Sequence, residues 1–253
     1  MAPYEGYPSL ENRLRLGTAG LRLAGETLIV PDGPWYVSGH MNRQDQTEDV
    51  LDLEVPTQKA KVDTDLSDVW QEAGLLLDQY GRPIHPYWRQ LLADERIGLP
   101  TGVGFFWRLG PNATAAAVAY RRYREDDEPE LLLIKRLKGG QWALPGGFVD
   151  RKKDKSAITT ARRETGEETQ LEDIGGTDEV ILHKIPVGLR DTLHAWTENT
   201  VVLVRGDQDY LFDTEPSPGD DAVDVGWFQR DQIAQLDIFG AHAGYIELAY
   251  SRI

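Results

Sequence analysis

The sequence predicts an α/β fold in two parts, a strand-poor stretch over residues 1–102 and a larger α/β domain over 103–253. After GLPTGVGFF the runs 115–120 (AAAVAY) and 131–135 (LLLIK) are apolar and of strand length, separated by the charged loop RRYREDDEPE, which is the pattern of a hairpin with an exposed tip. The segment SAITTARRETGEE that follows reads as a helix from Ser156 onward. Before residue 100, by contrast, short β-like pieces at 26–30 and 35–37 alternate with polar turns such as PDGP and the acidic run QDQTEDVLDLE.

In chain order, the spacing predicts a helix over 65–78 (DLSDVWQEAGLLLD), a turn at GRPIHP and a short helix in YWRQLLADERI. In the second part, LPGG predicts a turn before the long helix. Strands are expected at 180–186, 200–204 and 223–228, and a last helix over 241–252, where Tyr245, Ile246, Ala249 and Arg252 recur at three-to-four spacing.

Composition narrows the function classes. The chain has 253 residues, 42 acids against 27 bases and a formal net charge of −15, a field that repels nucleic-acid backbones and anionic membranes and attracts divalent cations. With no cysteine, disulfides, thiolate nucleophiles and Cys-ligated zinc or iron–sulfur sites are all excluded. The first residues, MAPYEGYPSLENRLRL, show no unbroken apolar segment, and no run reaches the ~18 apolar residues of a membrane span. The expectation is a soluble protein of the cytoplasm or another intracellular compartment, with a small-molecule ligand and with neither nucleic acid nor membrane as partner.

Glu164, Glu167 and Glu168 lie within five positions. On a helix, residues three and four apart are neighbours, so all three carboxylates can share one face, where like charges repel by about 0.2–0.5 kcal/mol per exposed pair. Arg162 and Arg163 are the only nearby bases in sequence, and one guanidinium orients one carboxylate. A hard dication such as Mg²⁺ relieves the remainder and keeps positions open for water and phosphate. Gly146 and Gly147, just upstream, let the backbone approach a ligand and offer carbonyls to a metal. A solvated acidic helix face is the bland alternative for the bare ExxEE.

In this context the stretch WALPGGFVDRKKDKSAITTARRETGEE resembles the box of the Nudix hydrolases, G-x5-E-x7-R-E-U-x-E-E-x-G-U with U aliphatic. Arg163, Glu164, Glu167 and Glu168 match it, whereas Thr165 replaces the aliphatic residue and Gln170 the glycine near the end. The upstream part departs further. Counting back from Arg163, the first glycine falls on Val149 and the upstream glutamate on Lys155, so with Gly147 as anchor the loop RKKDK carries two extra residues. In the family that glutamate pairs with the box arginine; here Asp154 or Asp150 is the available substitute. The resemblance implies an α/β/α sandwich with a mixed sheet, preceded by a smaller N-terminal accessory domain (1–102, the Nudix domain being 103–253). It also implies Mg²⁺, with Mn²⁺ as the alternative, held by Glu164, Glu167, Glu168 and a backbone carbonyl at Gly146.

Five segments in order, GRPIHP, WRLGPNATA, WALPGGFVD, RDTLHAWTENT and SPGDDAVDVGW, resemble the mitochondrial-type ADP-ribose pyrophosphatases and the Nudix domain of melastatin-type cation channels. The implied reaction is hydrolysis of ADP-ribose to AMP and ribose 5-phosphate. A sensor that binds ADP-ribose with little turnover, or a Nudix hydrolase for another nucleoside diphosphate derivative, are the alternatives. Trp142 and Trp196 offer faces for adenine, with ordinary core packing as the bland reading. Arg108 and Arg190 suit diphosphate oxygens, and Gly147 suits close backbone approach. Asp220 and Asp221 suit ribose hydroxyls or the proton of an attacking water, which makes Asp221 a catalytic candidate beside Arg163 and the glutamates. His194 and Leu193 stand where these relatives tend to have a polar residue and an acid.

Overall fold

The computed structural model describes residues 21–25, 27–30, 70–93, 99–106, 108–150, 152–186 and 190–253. Its contacts divide the chain into two compact units, one of residues 1–112 with 187–197 and one of 113–186 with 198–253.

In the first unit, β1 (Arg22–Ala24) and β2 (Thr27–Ile29) form an antiparallel hairpin. The side-chain amide of Gln79 imitates a strand beside it, accepting from the Val30 N–H at 2.8 Å and donating to the Val30 carbonyl at 2.6 Å. Helix α1 (Trp88–Ala93) lies where YWRQLLADERI predicts one, and Leu28, Val30, Ile84, Leu91, Leu99 and Leu193 form a buried apolar cluster. The helix expected over 65–78 is helical at 70–72 in its described part and then turns at Gly74, whose N–H bonds the Gln71 carbonyl. The strand expected at 35–37 and the acidic run lie outside the described residues.

The other unit is built on a seven-stranded sheet. Its strands are β3 (Gly110–Arg121), β4 (Glu130–Arg136), β5 (Trp142–Ala143), β6 (Gly146–Phe148), β7 (Thr177–Lys184), β8 (Ala195–Arg205) and β9 (Ala222–Phe228). The order is β5-β4-β3-β8-β7, with β6 paired to β3 and β9 to β4. The expected hairpin is present, with Tyr120 opposite Leu131 and Arg121 opposite Glu130. Helices α2 (Ala157–Thr169), α3 (Gln208–Asp213), α4 (Arg230–Ile233) and α5 (His242–Tyr250) complete this unit.

Strand periodicity distributes the core between two faces. Ala117, Ala119, Leu132, Val202 and Val204 pack with Ala161 and Leu171, on and just after α2, and with Leu211 of α3. The alternating Val118, Leu131, Leu133, Val201 and Leu203 pack with Ile233 of α4 and with Tyr245, Ile246 and Ala249 of α5. Helices therefore cover both faces, in an α/β/α arrangement. Leu131, Leu132 and Leu133 are fully buried, which contributes about 1.5–3 kcal/mol each.

One local expectation is corrected. Gly146 and Gly147, read as part of a turn, form strand β6 opposite Ala116 and Ala115, leaving only Leu144 and Pro145 to bend the chain. A Cβ on Gly146 would collide with the Ala115 carbonyl and the Ala116 backbone, so only glycine lets these strands come so close.

Candidate active site

Helix α2 starts at Ala157, just after the Ser156 from which the sequence reads as helical, and Ser156 caps it. The Ser156 hydroxyl accepts from the Thr159 N–H, and the Thr159 hydroxyl accepts from the Ser156 N–H, a capping box with threonine as the reciprocal partner. Thr160, Ala161, Glu164, Thr165, Glu168 and Thr169 form the buried face. Thr165 fits there in place of an aliphatic residue because its hydroxyl donates to the Ala161 carbonyl one turn back, leaving a valine-like shape for the core.

That face separates the three glutamates. Glu164 and Glu168 are buried at 9% and 4% exposure, whereas the Glu167 side chain is 40% exposed at the rim. At 100° per residue Glu168 stays within 40° of Glu164, while Glu167 lies 60° to the other side and reaches the edge. The expected single face is thus two buried carboxylates and one rim carboxylate. Strand β6 closes over the buried pair: the Gly146 N–H donates to Glu168 Oε2 at 2.8 Å, and a Cβ on Gly147 would overlap the Glu164 carboxyl group.

The loop carrying Asp220 and Asp221 is fastened to the end of α2. Ser217 and Gly219 donate to the carbonyls of Thr169 and Glu168, and the Gln170 amide donates to the Pro218 carbonyl. Gln170 itself adopts a left-handed φ of 57° as the helix cap, and Asp220 a left-handed φ of 47°. Asp221 is exposed and near enough for its charge to act on Glu168, as the charge of Asp220 acts on Glu164.

Between the two aspartates available in the loop, the structure selects Asp154 as the partner of Arg163. Its Oδ1 accepts from Nε at 2.9 Å and its Oδ2 from Nη2 at 2.9 Å. Asp154 also accepts from the Asp150 N–H and the Thr160 hydroxyl. The Arg163 hydrogen bonds foremost, helped by its other bonds, hold the Asp154 carboxyl at about 2 against a modest burial penalty. Arg163 Nη2 further donates to the Phe148 carbonyl, and Nη1 contacts Glu167 at 2.7 Å and Glu164 at 2.8 Å.

Burial pushes the Glu168 carboxyl up to about 9, opposed by the Gly146 N–H and reinforced by Asp221 and Glu164. Glu164 is also raised, by burial first, with Arg163 opposing and Glu167 and Asp220 adding repulsion. Six carboxyl groups, of Asp154, Glu164, Glu167, Glu168, Asp220 and Asp221, thus stand among the described residues with one guanidinium and one lysine, Lys153, whose Nζ is 4.0 Å from Glu167. An all-oxygen donor set with this uncompensated charge fits a hard dication. Among the described residues no three acidic or histidine side chains converge on one point, so the glutamates would have to draw in around the ion, with ligand oxygens completing its shell.

The other residues singled out from the sequence divide between the two units. Trp142 is half-buried on β5, edge-on to Phe228 at 4.7 Å, with Lys135 Nζ 5.9 Å from its ring. Arg108, Arg190 and Trp196 belong to the first unit. Both arginines are half-buried; Trp196 is fully buried against His85 at 5.2 Å, so its ring presents no open face to adenine. His194 is enclosed too, with Nδ1 accepting from the Gly102 N–H and Nε2 3.1 Å from Asp78, which also binds Arg82.

A family model described as the NUDIX domain matches residues 112–248. The chain is 27% identical over 175 residues to nudix hydrolase 6 of Caenorhabditis elegans, covering 66% of this chain and 62% of that protein. It is 28% identical over 203 residues to the mitochondrial ADP-ribose pyrophosphatase of Rattus norvegicus, covering 69% and 55%. Similarity at 28% over 194 residues extends to a transient receptor potential cation channel subfamily M member-like 2 of Nematostella vectensis, covering 66% and 12%. The chain therefore spans less than two thirds of the length of each of these relatives.

Proposed function

The chain belongs to the Nudix family, and we propose that it is a divalent-cation-dependent pyrophosphatase that hydrolyses ADP-ribose to AMP and ribose 5-phosphate. The observation that carries the reading is the buried pair Glu164 and Glu168, closed over by Gly146 and Gly147 and flanked by Asp220 and Asp221. The rat relative, by its name an ADP-ribose pyrophosphatase, supports the choice of substrate.

Glu164, Glu167 and Glu168, with the backbone at Gly146, would hold Mg²⁺ or Mn²⁺. Such an ion neutralises diphosphate charge and lowers the pKa of water. The protein's own groups do the rest. Asp154 fixes Arg163, and Arg163 orients Glu164 and Glu167. Asp221, exposed and close to Glu168, suits the proton of the water that attacks phosphorus, and Asp220 beside it a ribose hydroxyl.

A second reading, binding of ADP-ribose with little turnover, is favoured by one feature: Arg163 Nη1 engages Glu164 and Glu167 at once, contacts that compete with metal ligation. Incubation with ADP-ribose and a panel of nucleoside diphosphate derivatives, with Mg²⁺ or Mn²⁺ and chromatographic product analysis, separates the readings. AMP with ribose 5-phosphate supports hydrolysis, tight binding without AMP supports the sensor, and release from another derivative alone reassigns the substrate.

A further inference from the structure

Residues 150–155, DRKKDK, place four bases in six positions of a chain whose formal charge is −15. Arg151 lies outside the described residues; the rest form a compact turn. The loop's two acids are engaged within the fold. Asp150 accepts from the Lys152 N–H through its carboxylate at 2.9 Å, and through its carbonyl from the N–H groups of Lys153 at 2.9 Å and Asp154 at 2.6 Å. The Asp154 carboxylate is shared among the Asp150 N–H, the Thr160 hydroxyl and Arg163.

These bonds turn the acids inward and leave Lys152, Lys153 and Lys155 exposed. Among the described residues Lys152 and Lys155 form no ion pair, and Lys153, 62% exposed, stands 4.0 Å from the rim carboxylate Glu167. Lys153 therefore borders the acidic cluster, with Lys152 and Lys155 exposed on the same turn, where the net field of the molecule would repel an approaching polyanion.

We propose that Lys152, Lys153 and Lys155 are the capture site for the substrate's diphosphate, drawing the anion to the carboxylate edge before it is bound. The proposal rests on the pyrophosphatase reading and deepens it. Charge at the rim sets the rate of productive encounter, so its removal weakens kcat/KM through KM.

The test replaces all three residues, Lys152→Gln with Lys153→Gln and Lys155→Gln, and compares a triple lysine-to-arginine variant that keeps the charge. kcat and KM for ADP-ribose are measured with Mg²⁺ near 0.01 M and near 1 M ionic strength, where the screening length is about 30 Å and about 3 Å. The glutamine variant is expected to show about a tenfold higher KM at low salt, close to the lower end of electrostatic steering effects, and near parity at high salt. The arginine variant should follow the wild type. An unchanged low-salt KM or an unchanged salt slope in the glutamine variant overturns the proposal. If the wild type releases no AMP, the hydrolytic reading fails, and calorimetric binding of ADP-ribose decides the capture claim. Weaker low-salt binding by the glutamine variant supports it; equal binding, or none by the wild type, overturns it.

Discussion

Asp154 holds Arg163 through both carboxylate oxygens, at 2.9 Å to Nε and 2.9 Å to Nη2, while Nη1 of the same guanidinium contacts Glu164 and Glu167. The loop thus sets the arginine, and the arginine sets two of the proposed metal ligands. Asp154→Asn keeps the shape and removes the charge. It should lower activity by about 10–100-fold, the usual cost of disturbing groups that orient metal ligands. Activity assays beside thermal melts check this, and wild-type kcat in the variant would refute the role.

The two glycines of β6 should fail differently. In Gly146→Ala the new methyl meets the backbone at Ala115 and Ala116, which cannot yield, so stability should fall by about 1–3 kcal/mol. In Gly147→Ala it meets the far end of Glu164, which can swing away, so the protein should fold and lose activity. Melting curves and turnover on both variants test the contrast, and equal melting losses would contradict it.

Asp221 and Asp220 are adjacent yet differently placed. The charge of Asp221 acts on Glu168, whereas that of Asp220 acts on Glu164. Asp221→Asn is expected to reduce kcat by about 10²–10⁴, the range for loss of a general base, and Asp220→Asn to act mainly on KM. Steady-state kinetics decide this, and a reversed pattern would exchange the two roles.

In the first unit, burial lowers the His194 imidazole to about 4 despite Asp78, with the Arg82 charge adding to the drop. Its Nδ1 accepts a backbone N–H, so protonation there would set two donors face to face. Burial works to raise Asp78, but hydrogen bonds and charge from His194 and Arg82 prevail and hold it at about 2. Both folded values lie below the ordinary values of 6.5 and 3.8. The unfolded chain therefore binds more protons in each interval, and stability falls on acidification, from about 6.5 to 4 through His194 and from about 3.8 to 2 through Asp78. His194→Gln, whose amide can keep both hydrogen bonds, should flatten the upper interval in pH-dependent melting; an unchanged slope there would contradict the assignment.

Residue pattern made helix α2 and the β3–β4 hairpin legible. The segment from Ser156 reads as helical, and the apolar run at 131–135 is of strand length. What stayed hidden depends on contacts distant in sequence. A Gly-Gly pair carries no strand propensity, so β6 exists only because Ala115 and Ala116 approach it. The short helices α3 and α4 sit in polar stretches without helical periodicity. Residues 187–197 join the first unit through bonds such as His85 N–H to the Leu193 carbonyl, and no local composition signals that. The sequence identified the acids of the site and offered Asp150 and Asp154 as partners of Arg163; the split of the glutamates into buried and rim positions required the packing of α2.

The most direct measurement is AMP formation from ADP-ribose across a Mg²⁺ titration, for the wild type and for Glu168→Gln. The account predicts release that rises with Mg²⁺, stops on chelation and drops about 100-fold or more in the variant. AMP formation indifferent to both chelator and substitution would contradict a buried carboxylate pair that works by holding a dication against a diphosphate.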